Sequence, residues 1–198
     1  GNGPLLISSS ADIDLAKFDG EVLIPGQNTT AYALLKRYFP NLKRIKEVLF
    51  SDIPKAVANG EADLGLIIHE SRFTYKNLGL HELVDLGELW EKDMNLPLPL
   101  GAIVVRRSLP VELKILLSQA LQKSIEKGLE NPDGAMDFIL ENSSEKDIEV
   151  VKSHIDLYVN EFSVDAGSKG QKAILDLLHS LTENDSLTLQ QILFRWEK

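Results

Sequence analysis

Cysteine is absent from all 198 residues of the sequence. This absence excludes disulfide bonds, thiolate metal sites and cysteine nucleophiles. It also fits a protein of the cytoplasm, where disulfides are rare. We therefore predict a cytoplasmic location.

The sequence also lacks a long apolar run. Its longest candidates are interrupted by Pro97, Pro99 and Gly101, and none approaches the length of about 20 residues that a membrane-spanning helix needs. We therefore predict that the protein does not engage a membrane.

No signal peptide is visible, but the chain opens on Gly1 and not on methionine. We expect the natural N terminus to lie further upstream.

Basic clusters are scarce. Lysine and arginine number 21 against 30 aspartate and glutamate residues, which gives a formal net charge of -9. Adjacent basic side chains occur only as isolated pairs, at Lys36-Arg37, Lys43-Arg44 and Arg106-Arg107. An acidic surface repels phosphate backbones, so we predict a small-molecule ligand and no nucleic-acid partner. With 43% hydrophobic and 26% charged residues, the composition is that of an ordinary globular protein.

Short apolar runs alternate with helical patterns in the first half of the chain. The runs at 22–24, 46–50 and 64–68 are predicted strands, and apolar residues recur at helical spacing between them. Strand, helix, strand, helix, strand is the pattern of parallel βαβ units. The predicted fold class is therefore α/β, with parallel or mixed sheets flanked by helices.

The domain organisation follows from where this pattern stops. Residues 20–95 form one predicted α/β lobe. The proline-rich residues 96–100 are a predicted hinge or linker, because each proline removes a hydrogen-bond donor and restrains the residue before it. Residues 1–19 and 101–198 are assigned to the remainder of a first lobe.

That first lobe is expected to be incomplete. The apolar runs at 5–7 and 102–105 are predicted buried strands, and strands that are apolar on both faces need neighbours. We expect further strands, from a segment that precedes residue 1. Five helices are predicted after Pro110, at 111–129, 133–141, 145–159, 169–181 and 187–196.

A dense polar cluster follows the apolar run at 64–68. It consists of His69, Glu70, Ser71 and Arg72. Ligands of open α/β sheets gather at the carboxyl ends of strands, and histidine titrates near neutral pH. His69 is therefore a candidate for proton transfer, with Arg72 and Ser71 as candidate ligand contacts. The alternative is a loop histidine beside a surface ion pair of Glu70 and Arg72.

A second candidate turn follows the strand at 22–24. Here Thr29, Thr30 and Ala31 open a predicted helix, and helix N termini attract anions and polar oxygens. One threonine would suffice as a helix cap, so a purely structural role stays open. Because both turns follow parallel strands, we expect them at the same edge of the sheet.

The other histidines have no partner at ligand spacing, so no metal site is predicted. These are His81, His154 and His179.

Several strings of residues together resemble one family. They are Gly-Leu-Ile-Ile-His-Glu-Ser-Arg-Phe-Thr-Tyr at 65–75, Val-Asp-Leu-Gly-Glu-Leu-Trp-Glu at 84–91, Leu-Pro-Leu-Pro-Leu-Gly-Ala-Ile at 96–103 and Tyr-Val-Asn-Glu-Phe-Ser at 158–163. With the threonine turn after Pro25-Gly26, they resemble the 1,4-dihydroxy-6-naphthoate synthases of menaquinone biosynthesis by the futalosine pathway. The resemblance extends over nearly the whole chain.

The resemblance implies a bilobed fold similar to type II periplasmic binding proteins, with substrate in the cleft between lobes. It implies a carbon–carbon lyase that converts cyclic dehypoxanthine futalosine to 1,4-dihydroxy-6-naphthoate without a metal or organic cofactor. His69 falls on the family's proposed catalytic base, and the turn from Thr29 to Ala31 falls on the one that holds polar groups of the ligand. The N-terminal segment of several dozen residues found in the family is not in this sequence.

Two other functions remain open at this stage. One is a solute-binding protein of the same bilobed type, which captures a small carboxylate without chemistry. The other is chorismate dehydratase, a related enzyme of the same pathway. It ranks lower because the His-Glu-Ser-Arg-Phe string matches the naphthoate enzyme better.

Overall fold

The structure, a computed structural model, describes residues 3–182 and 186–193. Contacts within the chain divide it into two compact units, Gly1–Leu98 and Pro99–Lys198. None of the helices in the described residues is long and apolar enough to cross a membrane.

The first unit is an α/β unit built on one five-stranded sheet. Its strands and helices alternate through most of the segment, as the apolar pattern predicts. In chain order they are β1 (Leu5–Ser8), β2 (Val22–Ile24), α1 (Thr30–Tyr38), β3 (Ile45–Glu47), α2 (Ile53–Ala58), β4 (Leu64–Ile67), α3 (Ser71–Thr74), a 3-10 turn (Tyr75–Leu78), β5 (His81–Asp85) and α4 (Leu86–Met94).

The strand order across the sheet is β3-β2-β4-β1-β5. β2 lies between β3 and β4 and is parallel to both, which confirms the predicted βαβ units. β1 is antiparallel to β4 and to β5. Because Leu5 pairs with both Ile67 and Asp85, the start of β1 lies beside the carboxyl ends of β4 and β5.

Helices cover both faces of this sheet. On one face α2 packs in a cluster with the side chains of Leu5, Ile7 and Leu23. Successive strand residues point to opposite faces, so the fully buried Leu6 faces the other side. There α1 packs against α4, which buries Trp90 completely. Burial on both faces explains why the central strands β1, β2 and β4 are apolar without alternation.

Gly65, in the middle of β4, lets α2 approach the sheet closely. A methyl group at this position would lie 2.6 Å from Ile53 Cγ2 and 2.8 Å from Val57 Cγ2. Both residues are completely buried, so neither side chain can move into solvent to make room.

We expect Gly65→Ala to lower the free energy of unfolding by about 1–3 kcal/mol, because it overpacks the contact between α2 and the sheet. Urea denaturation followed by circular dichroism measures the change. Gly101→Ala is the control, since a methyl group there meets no atom within 4 Å. Equal stability of the two variants would contradict the close approach.

The second unit is helical in its described residues. Its buried apolar side chains are few there, namely Met136, Val151, Ala173 and Leu177. The predicted helix at 187–196 is formed in part, and its residues from 194 onward lie outside the described residues. The elements are α5 (Val111–Glu130), a 3-10 turn (Pro132–Ala135), α6 (Met136–Asn142), α7 (Ile148–Tyr158), α8 (Glu161–Val164), α9 (Gly167–Thr182) and α10 (Leu189–Ile192).

The predicted strand at 102–105 is wrong. These residues are irregular, and Ile103 and Val104 are 71% and 86% exposed. A strand requires a neighbour to pair with its backbone N–H and C=O groups, and no described residue pairs with this segment. Apolar composition alone therefore does not make a strand.

The predicted grouping of residues 1–19 with 101–198 also differs from the structure. β1 lies inside the first sheet, between β4 and β5, so it belongs with the segment 20–95. The division between the units, after Leu98, falls within the predicted linker at 96–100. The first half of that linker is packed, because Leu96 and Leu98 are buried and Trp90 Nε1 donates to the Pro97 carbonyl at 3.2 Å.

Candidate functional site

The candidate site lies at the carboxyl edge of the sheet, defined here as the edge where β2, β3 and β4 end. After β2 the chain crosses to β3, whereas after β4 it leaves toward β5 on the other side. Two adjacent parallel strands whose connections run in opposite directions leave a crevice between them, which is where α/β proteins bind ligands. β2 and β4 are such a pair.

His69 follows β4 directly at this edge. Its backbone is left-handed, with φ at 57°, and its carbonyl accepts the Arg72 N–H at 3.2 Å. Left-handed backbone is uncommon for residues other than glycine and costs about 1–3 kcal/mol, and such residues cluster at functional sites. The side chain of His69 is exposed, so its imidazole is accessible at the crevice.

Phe50 contacts the imidazole of His69. The two ring centroids lie 5.2 Å apart, with the ring planes at 69° to each other. Aromatic pairs prefer this edge-to-face arrangement, which contributes about 0.5–1.5 kcal/mol beyond the area it buries. Phe50 was not among the predicted site residues, although its position at the end of the predicted strand 46–50 was a usable signal.

The threonine turn lies at the same edge, as predicted. The Thr29 hydroxyl donates to the Gly26 carbonyl at 2.7 Å and accepts the Tyr32 N–H at 3.2 Å, which makes Thr29 the N-cap of α1. Thr30 is the first helical residue and is half-buried. Ala31 is 2% exposed, so its methyl group belongs to the core and only its backbone can face a ligand. The first N–H groups of a helix have no partner within the helix.

Arg72 makes an ion pair with Asp85. Its Nη2 lies 2.6 Å from Asp85 Oδ2, and its Nη1 donates to the Gly3 carbonyl at 2.6 Å. The two side chains are only 16% and 3% exposed, so this pair is buried. The other Asp85 oxygen, Oδ1, accepts the N–H groups of Gly87 and Glu88 at the start of α4. Arg72 therefore ties α3 to the starts of β1 and α4.

Asp85 was not among the predicted site residues. The apolar residues around Asp85, at 83–87, favour an edge strand through this whole segment, but the strand ends at Asp85 and a helix starts at Leu86. An aspartate directly before a helix is a usual N-cap, and this was the signal that could have identified it.

The remaining predicted site residue, Ser71, is the first residue of α3 and is buried.

Nearby, burial and a hydrogen bond to Glu82 raise the pKa of Tyr75 to about 12. Tyr75 is therefore neutral throughout the physiological range and is not a candidate for a general base at neutral pH.

We expect Arg72→Met to lower the free energy of unfolding by about 3–5 kcal/mol, because it leaves the buried Asp85 carboxylate without its counter-charge. Adding Asp85→Asn should recover part of this loss, since the amide oxygen can still cap α4. Urea denaturation measures the free energy of unfolding of the single and the double variant. In the control Lys17→Met, the exposed pair with Asp14 is removed and stability should not change. If Arg72→Met loses no more stability than Lys17→Met, the buried pair does not stabilise the unit.

Solved structures define the class of fold. The chain resembles protein AF1704 from Archaeoglobus fulgidus with a TM-score of 0.83 and 32% identity, covering 92% of this chain and 68% of that protein. It resembles the periplasmic aliphatic sulphonate-binding protein SsuA from Escherichia coli with a TM-score of 0.59 and 17% identity, covering 98% of this chain and 66% of that one. The chain therefore has a periplasmic-binding-protein-like α/β fold, as predicted.

Sequence comparison then gives the family. A family model described as "Menaquinone biosynthesis" matches residues 1–183, and the chain belongs to this family. It is 40% identical over 183 residues to the 1,4-dihydroxy-6-naphtoate synthase of Streptomyces coelicolor. It is 42% identical over 178 residues to the protein of the same name from Thermus thermophilus. These findings confirm the resemblance noted from the sequence.

Both matches cover a larger share of this chain than of the relative. They include 90% and 89% of this chain but 64% of each relative. The chain thus spans slightly less than two thirds of the length of the curated relatives it matches. The roles of His69, Ser71, Arg72 and the threonine turn remain predictions.

Proposed function

We propose that the chain takes part in the conversion of cyclic dehypoxanthine futalosine to 1,4-dihydroxy-6-naphthoate, in the cytoplasm, as a carbon–carbon lyase. Membership of the menaquinone biosynthesis family and the name shared by two relatives at 40% and 42% identity support this reaction. The observation that carries the proposal is the left-handed His69 at the crevice between β2 and β4.

In this proposal His69 is the general base. Its neutral imidazole accepts a proton from a carbon of the substrate. The electron pair left behind forms a double bond to the adjacent carbon as the next carbon–carbon bond breaks, and the departing carbon keeps the electrons of that bond and takes up a proton. Histidine suits this step because its ordinary pKa is close to neutral pH. The proposed chemistry calls for a base and a shaped pocket, and for no metal or organic cofactor.

The threonine turn is the proposed binding element for polar oxygens of the substrate. It opens α1, a nine-residue helix, whose N terminus carries partial positive charge. The Thr29 hydroxyl is engaged in capping, so we assign direct binding to the Thr30 hydroxyl and to the backbone of Ala31.

Ser71 and Arg72 receive different proposed roles. Two nitrogens of Arg72 are engaged with Gly3 and Asp85, which supports a role in holding the His69 segment in place. Ser71 stays a proposed substrate contact, on the strength of its position two residues after His69.

A solute-binding protein is the weaker alternative. The similarity to SsuA is 17% identity, which supports a shared fold alone. No comparison favours chorismate dehydratase.

The principal test is His69→Asn in the complete gene product, assayed for turnover of cyclic dehypoxanthine futalosine. Asparagine tolerates left-handed backbone, so the fold should persist while kcat falls by about 10²–10⁴-fold. His81→Asn is the control, because the exposed His81 lies at the opposite edge, where it pairs with Ser8. Turnover near the wild-type rate in His69→Asn would refute the proposed role.

A second test separates binding from capping in the threonine turn. We expect Thr30→Ala to raise KM by about 2–10-fold, as for the loss of one hydrogen bond, without lowering stability. Thr29→Ala should lower the free energy of unfolding by about 0.5–2 kcal/mol through loss of the cap. Steady-state kinetics and thermal unfolding measure the two effects. An unchanged KM in Thr30→Ala would remove Thr30 from the proposed site.

A further inference from the structure

The contact between Phe50 and His69 joins two strands that are not neighbours. Phe50 follows β3 and His69 follows β4, and β2 lies between these strands. Two strand spacings amount to about 10 Å, yet the ring centroids are 5.2 Å apart. The two rings therefore lean toward each other across the end of β2, where the chain enters the turn to Thr29.

Phe50 is itself held by a constrained connection. The Val48 N–H before it donates to the Ile24 carbonyl of β2 at 3.0 Å, and the Asp52 N–H after it donates to the Leu49 carbonyl at 2.9 Å. The ring is half-buried. Its backbone is thus attached to β2 on one side and leads directly into α2 on the other.

The backbone of His69 is fixed as well. Its φ of 57° and the hydrogen bond from the Arg72 N–H to its carbonyl define where the side chain leaves the chain. What these constraints do not define is the rotation of the imidazole about its own side-chain bonds. The edge-on contact with Phe50 restricts that rotation.

We propose that Phe50 is a positioning residue for His69, which holds the imidazole in the orientation needed for proton transfer at the crevice. This inference rests on the proposed function of His69. Phe50 has no group that can titrate or donate a hydrogen bond, so it acts only through the histidine. Orientation matters because a general base must lie within about 2.6–3.2 Å of the atom that carries the proton.

The kinetic test compares Phe50→Leu with Phe50→Tyr in the complete gene product. Leucine keeps an apolar side chain but lacks the ring, so kcat should fall by about 10–100-fold, the scale of a misplacement of about 1 Å. KM should change by less than about 3-fold, because this contact does not bind substrate. Tyrosine keeps the ring and should retain kcat near the wild-type value.

The control is Phe39→Leu. Phe39 is the C-cap residue of α1, and α1 returns the chain from the carboxyl edge to the start of β3, so Phe39 lies at the opposite edge. Its replacement should leave kcat unchanged. A fall in kcat equal to that of Phe50→Leu would mean that any loss of an aromatic ring in this unit lowers activity, and it would overturn the proposal.

A spectroscopic test of the contact does not depend on activity. The chain has 4 histidines, and the imidazole proton signal of His69 in the NMR spectrum is the one that disappears in His69→Asn. The ring current of Phe50 shifts this signal, so Phe50→Leu should move it toward the position of an exposed histidine, whereas Phe50→Tyr should not.

The two readouts together decide the proposal. A moved His69 signal with a lowered kcat supports it. If the His69 signal does not move in Phe50→Leu, the proposal is overturned whatever the value of kcat. If the signal moves while kcat stays at the wild-type value, the positioning role is overturned. If His69→Asn retains turnover, the proposed function fails instead, and an NMR shift in Phe50→Leu then shows a ring contact without a catalytic purpose.

Discussion

The parallel pairing of β2 with both of its neighbours is the constraint on which the candidate site depends. It brings the ends of β2, β3 and β4 to one edge, and therefore brings together the threonine turn, Phe50 and His69. These segments are separated by some 20 residues of chain each, and nothing local joins them. Only the common direction of the three strands makes them neighbours, and the helices on both faces hold the centre of the sheet together by burying β1, β2 and β4.

Much of this arrangement could be predicted from the sequence. Short apolar runs of Val, Leu and Ile separated by helical spacing are sufficient to predict βαβ units, because buried parallel strands have apolar side chains on both faces. His69 comes directly after such a run, and Thr29 lies in the turn that follows another, which places both at the carboxyl edge. The family could also be identified, since the string from Gly65 to Tyr75 is long and specific.

The rest depended on information that local patterns do not contain. The run Leu5–Ser8 is as apolar as β4, and its composition does not reveal that it is antiparallel and lies between β4 and β5. The run at 102–105 has the composition of a strand, but none of the residues that the structure describes pairs with it. Contacts across long stretches of chain were missed for the same reason: the Arg72–Asp85 pair and the Phe50–His69 contact join residues whose proximity is decided by strand order.

The left-handed backbone of His69 has a consequence for how this position tolerates variation. Among the described residues, only His69 and Asn95 adopt positive φ without being glycine, and Asn95 caps a helix, where asparagine is a usual choice. At position 69 the backbone favours glycine, asparagine or aspartate, whereas the proton transfer that we propose for this residue favours histidine. A mutational scan should therefore fall into two classes, with Gly and Asn variants that accumulate in cells as inactive protein and Val and Ile variants that fail to accumulate at all.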